Sequence, residues 1–264
     1  MLGSAPDTPS RAIDVRLVAP LRLRPVLLLV GVVLFGLGSG SGHAPFSATT
    51  PLLAQDPTGG SDYQIIIDES TLGVVTFRAG VAGRLAHDHL VHASHFTAEL
   101  VFDPESPGNS SLAGEVETER LRADEGERRE RMEPLLREME ILPDGFQSIS
   151  ENQRADVRES MLAEGQLHAE AHPRIGFESV EIRYVDDDGD FPWRITVSLT
   201  VREVTRESEI RARWHEEADG RLRIQGAGTL RFTDFGIEPY RAFLGAVQNQ
   251  DEFALVLDLV ARAR

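Results

Sequence analysis

The chain has 264 residues, of which 41% are hydrophobic, and it carries a formal net charge of −16 at pH 7. A negative charge of this size disfavours nucleic acid and anionic membrane faces as partners, because both are polyanionic. The sequence contains no cysteine, which excludes disulfides, thiolate nucleophiles and cysteine-ligated metals.

The N-terminal segment has the features of a secretory signal. A cluster of arginines precedes an apolar run from Val26 to Leu37, and Gly42 and Ala44 provide small residues at a suitable cleavage point. As a helix, the apolar run is too short to cross the roughly 30 Å hydrocarbon core of a bilayer. We therefore expect residues 1–44 to be a signal peptide, with an uncleaved membrane anchor as the alternative. The mature protein is then periplasmic or secreted, and contacts a membrane only through this segment if it is uncleaved.

Residues 45–61 are rich in proline, glycine, serine and threonine, and are predicted to be a linker to one domain at residues 62–264. Within this domain, short apolar segments with period-2 alternation are separated by turn signals, which is typical of antiparallel strands. The Gly226-Ala227-Gly228 interruption indicates a bulge or a sharp coil. The predicted strands cover residues 63–67, 72–80, 92–102, 112–120, 173–184, 192–202, 206–215, 221–233 and 252–262.

The end of the chain gives the clearest pattern. A strand is followed by a tight bend at Asp234-Phe235-Gly236 and then by a long closing strand. Alternation places one apolar set of the closing strand on a single face, which must line a core or a cavity. That set is Phe253, Leu255, Leu257, Leu259 and Ala261.

The pattern becomes helical between residues 124 and 162. Apolar residues recur at helical spacing between Met132 and Met139, Pro143-Asp144-Gly145 breaks the pattern, and Ser150 to Arg154 resembles a helix cap. Each helix has one narrow apolar stripe, too little for a core of its own. We expect a charged two-helix insert that covers one end of a barrel, as a fixed cap or as a mobile lid.

No catalytic motif accompanies these elements. Asp-Phe-Gly also occurs in protein kinases, but the glycine-rich nucleotide loop and the His-Arg-Asp loop are missing. The sequence has no Gly-x-Ser-x-Gly elbow, no Walker loop and no His-Glu-x-x-His. The acidic run from Asp186 to Asp190 is similar to a fragment of a calcium loop, yet the closing position 12 is Val197, which favours a solvated hairpin turn. We predict that the protein is not an enzyme and has no cofactor.

Four histidines lie within nine residues: His87, His89, His92 and His95. On a strand, His87 and His89 share a face at a spacing that permits metal chelation, with a third ligand from elsewhere, such as His168 or His172. The other interpretations are local hydrogen bonding at a strand start and contact with the head group of a ligand. A metal-binding or redox-linked envelope protein therefore stays an alternative.

Five segments occur in an order found in a known family: YQIIIDESTLGVVTF from residue 63, ASHFTAELVFDP from 93, HPRIGFES from 172, LTVREVTR from 199 and TLRFTDFGI from 229. Together they resemble the YceI-like family, the lipid- and polyisoprenoid-binding barrels of the bacterial envelope. The family usually has tryptophan where this chain has Tyr63. The family also usually has a His-Ser pair near the position of Ser70, which this chain lacks.

The resemblance implies an all-β fold with a helical insert, an antiparallel, lipocalin-like barrel of about eight strands. It also implies that the barrel binds an isoprenoid or another long-chain lipid. Two further possibilities are left undecided by the sequence: a filled barrel that engages a protein partner, and a homodimer. The inward, lipid-binding residues predicted from strand alternation are Val75, Phe77, Phe96, Leu100, Ile175, Phe177, Val197, Leu199, Leu230, Phe232, Phe253, Leu255 and Leu257.

Overall fold

The computed structural model describes residues 60–80, 86–185 and 189–264. The predicted signal at residues 1–44, most of the predicted linker at 45–61, and residues 186–188 of the acidic turn lie outside these ranges. Within the described part of the chain, neither α-helix has the length and hydropathy of a membrane-spanning segment.

The described chain consists of twelve strands and two α-helices. The strands are β1 (Ser61–Ile65), β2 (Thr71–Ala79), β3 (His89–Ala93), β4 (Thr97–Phe102), β5 (Ser111–Glu117), β6 (Leu121–Ala123), β7 (Arg174–Tyr184), β8 (Trp193–Val201), β9 (Val204–Glu216), β10 (Leu222–Arg231), β11 (Arg241–Ala242) and β12 (Val247–Ala263). The helices are α1 (Gly126–Glu138) and α2 (Glu151–Leu162).

The strands form a closed antiparallel barrel. Hydrogen-bonded neighbours run in the order β1-β4-β5-β7-β8-β9-β10-β12, and β12 pairs with β1 to close the ring. Strands β2, β3 and β6 extend the sheet from β12: β2 pairs with β12 between Gln248 and Asp258, β3 pairs with β2, and β6 pairs with β3. The ring thus has eight strand positions, which confirms the predicted lipocalin-like barrel. Closure leaves no open sheet edge in the ring.

Strand alternation separates the two faces of the barrel wall. On β8, Trp193, Ile195, Val197, Leu199 and Val201 face inwards, as their period-2 spacing predicts. The β8–β9 hairpin turns on two residues, Arg202 and Glu203, which both have positive φ values of 49° and 64°. This geometry is typical of a type I′ turn, whose twist matches that of the flanking strands.

The pairing of β7 with β8 contains an irregularity, and one glycine-rich stretch does not. In β7 the register with β8 shifts between Ser179 and Glu181. At Gly226 to Gly228 the sequence predicts a bulge or a sharp coil, and the bulge is wrong, because β10 keeps continuous register with both neighbours there. A Cβ at Gly228 would lie 2.4 Å from the carbonyl oxygen of Glu209, so this glycine permits close approach of β9.

Helix α1 lies against the outer face of the barrel. Its buried side chains pack with outward residues of β2, β3, β10 and β12 in one apolar cluster. This position corrects the expectation that the whole insert covers a barrel end. The physical reason is that β12 is apolar on both faces, so its outer face needs a cover. The cluster includes Met132, Leu135, Leu136, Val75, Leu90, Ala254 and Val256.

Helix α2 has a different position and much weaker burial. A capping box at Ser150 and Gln153 starts the helix, as the sequence predicts. None of its residues is fully buried, but Val157 and Met161 border the barrel interior. Arg158 donates hydrogen bonds to the carbonyl oxygens of Leu121 and Glu119, at 3.1 and 2.8 Å. Within the insert, α2 is therefore the helix that borders the barrel interior.

The two helices are expected to differ in local stability. Amides of α2 should exchange with solvent quickly, because little apolar surface holds this helix closed, whereas amides of α1 should exchange about as slowly as the strands. A hydrocarbon ligand in the barrel should slow exchange in α2 and leave α1 unchanged. Hydrogen exchange followed by mass spectrometry, with and without ligand, checks this. Equal protection of both helices, or indifference of α2 to ligand, would contradict it.

Candidate ligand-binding cavity

The barrel encloses a cavity of about 340 Å³. Its wall consists largely of aliphatic and aromatic side chains from all around the ring. Several of them, such as Ile195 and Val197, are only half-buried although they point inwards, since part of their surface borders the cavity. The volume lies in the range of small-molecule sites, which begins near 300 Å³. The interior is therefore hollow, a point that the alternation of apolar residues leaves open.

Most residues predicted to face inwards lie on the cavity wall. These are Leu100, Ile175, Phe177, Val197, Leu199, Phe232, Phe253, Leu255 and Leu257. Phe96 and Leu230 belong to the same interior apolar cluster but do not border the cavity. Phe96 packs edge-on against Phe177, with ring centroids 6.4 Å apart. The role of these residues in lipid binding stays a prediction.

The inward orientation predicted for Val75 and Phe77 is wrong. Both side chains belong to the outer cluster under α1, and the inward positions of β2 are Leu72, Val74 and Thr76. The error has a physical origin, because β2 is buried on both faces and its two sets of side chains are similarly apolar. Alternation alone does not identify the inner face of such a strand.

Several wall residues were not in the predicted set. Val91 of β3 and Ile224 of β10 follow the inward alternation of their strands, while Trp214 of β9 packs against Phe102 with ring centroids 4.8 Å apart. For Trp214 the signal was present, since the alternation with Ile210 and Ala212 is visible in the sequence. For Val91 the signal was hidden, because four histidines interrupt the apolar pattern around it.

The cavity has a different border at each end. At one end it meets α2 and the segment after β10, through Met161, Phe235 and Tyr240. A shallow surface depression beside this end shares Ser160, Gln166 and Tyr240 with the cavity wall. At the other end the wall includes Pro107 and Ser110 from the β4–β5 connection, among others. The end beside α2 thus combines a helix without fully buried residues with a surface depression.

The four clustered histidines have four different environments. His87 is half-buried, His89 lies on the cavity wall, His92 is fully buried, and His95 is exposed. The Nε2 atom of His92 lies 3.0 Å from Glu125 Oε2. Burial lowers the pKa of His92 against the opposing effect of Glu125. Burial also lowers the pKa of His87, and neighbouring His89 lowers it further.

Among the residues that the structure describes, no third metal ligand accompanies His87 and His89. The rings of His87 and His89 lie 6.1 Å apart, but in the described ranges no group of three or more His, Asp or Glu side chains is arranged to hold a metal ion. His168 and His172 pack against each other, with ring centroids 5.7 Å apart, in the turn before β7. Their position supplies nothing to the histidine pair.

Fold and cavity together define a class: hollow antiparallel β-barrels with an apolar internal site. The model of the YceI-like domain matches residues 63–261, and the chain belongs to that family. Comparison with curated proteins gave no match.

Several solved structures are similar to this chain at low sequence identity. BcnA of Burkholderia cenocepacia is 13% identical, with a TM-score of 0.52, covering 75% of this chain and 99% of that protein. A polyisoprenoid-binding domain from Saccharophagus degradans implicated in plant cell wall breakdown is 8% identical, with a TM-score of 0.46 and coverage of 76% and 98%. The Campylobacter jejuni YceI protein is 14% identical, with a TM-score of 0.42 and coverage of 66% and 84%. The likeness to BcnA shows a shared barrel.

Proposed function

We propose that this protein binds an isoprenoid or another long-chain lipid, non-covalently, inside its barrel. The observation that carries the proposal is the apolar cavity enclosed by the closed ring of strands. Protein interiors are normally packed with few voids larger than one water molecule. A filled structural barrel would follow that rule, whereas this barrel keeps about 340 Å³ open. A binding site is the better account of that volume.

The hydrophobic effect supplies the driving force for such binding. Transfer of hydrocarbon from water to an apolar environment contributes roughly 25 cal/mol per Å² of surface removed from water. A wall built from side chains such as Leu255, Ile195 and Phe177 offers this environment without requiring many polar partners. The proposed action is sequestration, without a chemical step.

The proposed location is the bacterial envelope, as periplasmic or secreted protein. This part rests on the predicted signal at residues 1–44, which lies outside the described ranges. If that segment stays uncleaved, it is the proposed point of contact with the membrane. The proposal requires neither a nucleic acid nor a second copy of the chain.

Native mass spectrometry of protein purified without detergent tests the function directly. We expect an adduct of hydrocarbon-lipid mass, released by extraction with organic solvent and regained on incubation with a long-chain isoprenoid. Bare protein that fails to take up any long-chain lipid would overturn the proposal. One equivalent of zinc or copper in untagged protein would instead favour the metal alternative.

A further inference from the structure

One polar side chain stands out in the apolar wall of the cavity. On β3, His89, Val91 and Ala93 face inwards, while Leu90 packs under α1. The side chain of His89 keeps 14% of its surface exposed and borders the cavity. An imidazole at an inward position reduces the hydrophobic contact between the wall and a bound hydrocarbon. The presence of His89 there therefore indicates a polar function.

Asp124 holds His89 in one orientation. The carboxylate of Asp124 is completely buried, accepts a hydrogen bond from the backbone N–H of Leu90 at 3.0 Å, and lies 2.7 Å from His89 Nδ1. Asp124 also has a φ of 54°, a left-handed conformation that residues other than glycine rarely adopt. Since a carboxylate accepts hydrogen bonds, Nδ1 carries a proton, and in the neutral form of an imidazole the other ring nitrogen, Nε2, is an acceptor.

The charges around this pair are already matched. The guanidinium of Arg129 lies 3.8 Å from Asp124, and that of Arg78 lies 3.7 Å from Asp88. An anionic head group beside His89 would therefore meet the carboxylate of Asp124 without gaining an unmatched cation from either arginine. The site suits a neutral group that donates a hydrogen bond.

A second polar atom lies next to His89. Thr76 of β2 is the direct cross-strand partner of His89, and its side chain also borders the cavity. Its buried Oγ1 has no hydrogen-bond partner among the described residues. Rotation about the Cα–Cβ bond moves the hydroxyl to another staggered position, and one such position can turn it towards the cavity. There it can donate to an oxygen that itself donates to His89.

We propose that His89 and Thr76 bind the terminal hydroxyl of the ligand, which makes the ligand a long-chain alcohol. This inference rests on the proposed function, since the cavity must hold the hydrocarbon. The ligand hydroxyl donates to His89 Nε2 and accepts from Thr76 Oγ1. Asp124 is a positioning residue that fixes the tautomer and direction of the imidazole.

The test compares three ligands with the same chain: geranylgeraniol, its methyl ether and geranylgeranoic acid. Competition for the barrel of the delipidated protein gives their dissociation constants at pH 7.5. We expect the alcohol to bind about tenfold more tightly than the ether, because the ether oxygen can accept from Thr76 but cannot donate to His89, and a buried acceptor left unpaired costs free energy of that size. The acid should not bind more tightly than the alcohol.

Variants then assign the selectivity to the site. His89→Phe should reduce the alcohol-to-ether ratio to about one, and His95→Phe, the same change at an exposed histidine, should leave it unchanged. Asp124→Asn retains a residue type that tolerates positive φ and should lower the ratio without weakening ether binding. The wild-type ligand series needs no variant, so a failure of His89→Phe to fold does not remove the test.

The outcomes distinguish failure of the hydroxyl site from failure of the lipid-binding function. Equal affinity for alcohol and ether in the wild-type protein, a ratio that survives His89→Phe, or tightest binding of the acid would each overturn the hydroxyl site. In those cases the lipid-binding function would still stand. If none of the three ligands binds, the proposed function itself fails.

Discussion

Replacing Phe177 with aspartate is expected to remove lipid from the purified protein and to weaken lipid binding at least a hundredfold. Phe177 lies on the cavity wall, and its ring packs against Phe96. An unpaired carboxylate in apolar surroundings costs several kcal/mol, and each 1.4 kcal/mol corresponds to a factor of ten in affinity. Native mass spectrometry of the lipid adduct, with circular dichroism to verify folding, measures the effect.

Val180 on the same strand supplies the matched control. Its side chain is 53% exposed, so Val180→Asp places the same carboxylate in water and should leave the lipid adduct unchanged. Phe177→Asn introduces a neutral polar group, which costs less than a charge and keeps the test available if the aspartate variant does not fold. A folded Phe177→Asp protein with a full complement of lipid would contradict the assignment of this wall.

Replacing Asp258 with alanine is expected to lower the free energy of unfolding by about 3 kcal/mol, the size typical of breaking a buried ion pair from one side. Asp258 is on the outer face of β12 and is 1% exposed. Arg223 donates to it from Nε and Nη2 at 2.7 and 2.6 Å, and Gln225 donates at 3.2 Å. The hydrogen bond with Asp258 raises the pKa of Arg223. Arg223 also stays charged once Asp258 is gone, because a guanidinium is not deprotonated in proteins.

The measurement is urea unfolding of the variant against the wild type. Glu115→Ala is the control, because Glu115 pairs with Arg174 at 3.1 Å between two exposed side chains. Exposed pairs contribute about 1 kcal/mol or less. A loss in Asp258→Ala no larger than in Glu115→Ala would show that the buried network does not stabilise the barrel.

The sequence predicts the inward residues of a strand well where one face of the strand is buried and the other is exposed to solvent. On β8, apolar residues alternate with Arg194, Thr196 and Thr200, and the inward set is therefore unambiguous. On β2 and β12 both faces are buried, by the barrel interior and by α1. On β2 the alternation therefore does not identify the inner face, which explains the misplacement of Val75 and Phe77, whereas on β12 the alternation assigned the inward set correctly.

The site was harder to predict than the fold, because its parts lie far apart in the sequence. The histidine cluster is visible from residue types alone, but its meaning depends on Asp124, which is 35 residues from His89. No spacing rule links the two positions. Likewise, the apolar stripe of α1 predicts that one face of this helix is buried. The stripe does not predict whether the helix packs against the inner or the outer face of the barrel wall, and only the structure shows that it is the outer face.

The way the ring closes also determines how the chain must fold. The hydroxyl of Ser70 and the backbone N–H of Val260 form a hydrogen bond across a sequence separation of 190 residues, and β1 pairs with the last residues of β12. Contacts of such high order make folding slow, typically milliseconds to seconds, because a long loop loses its entropy before the contact forms. Until β12 has been synthesised, the nascent barrel is an open sheet with two unpaired edges. Pairing of this last strand therefore also protects the barrel from aggregation through its edges.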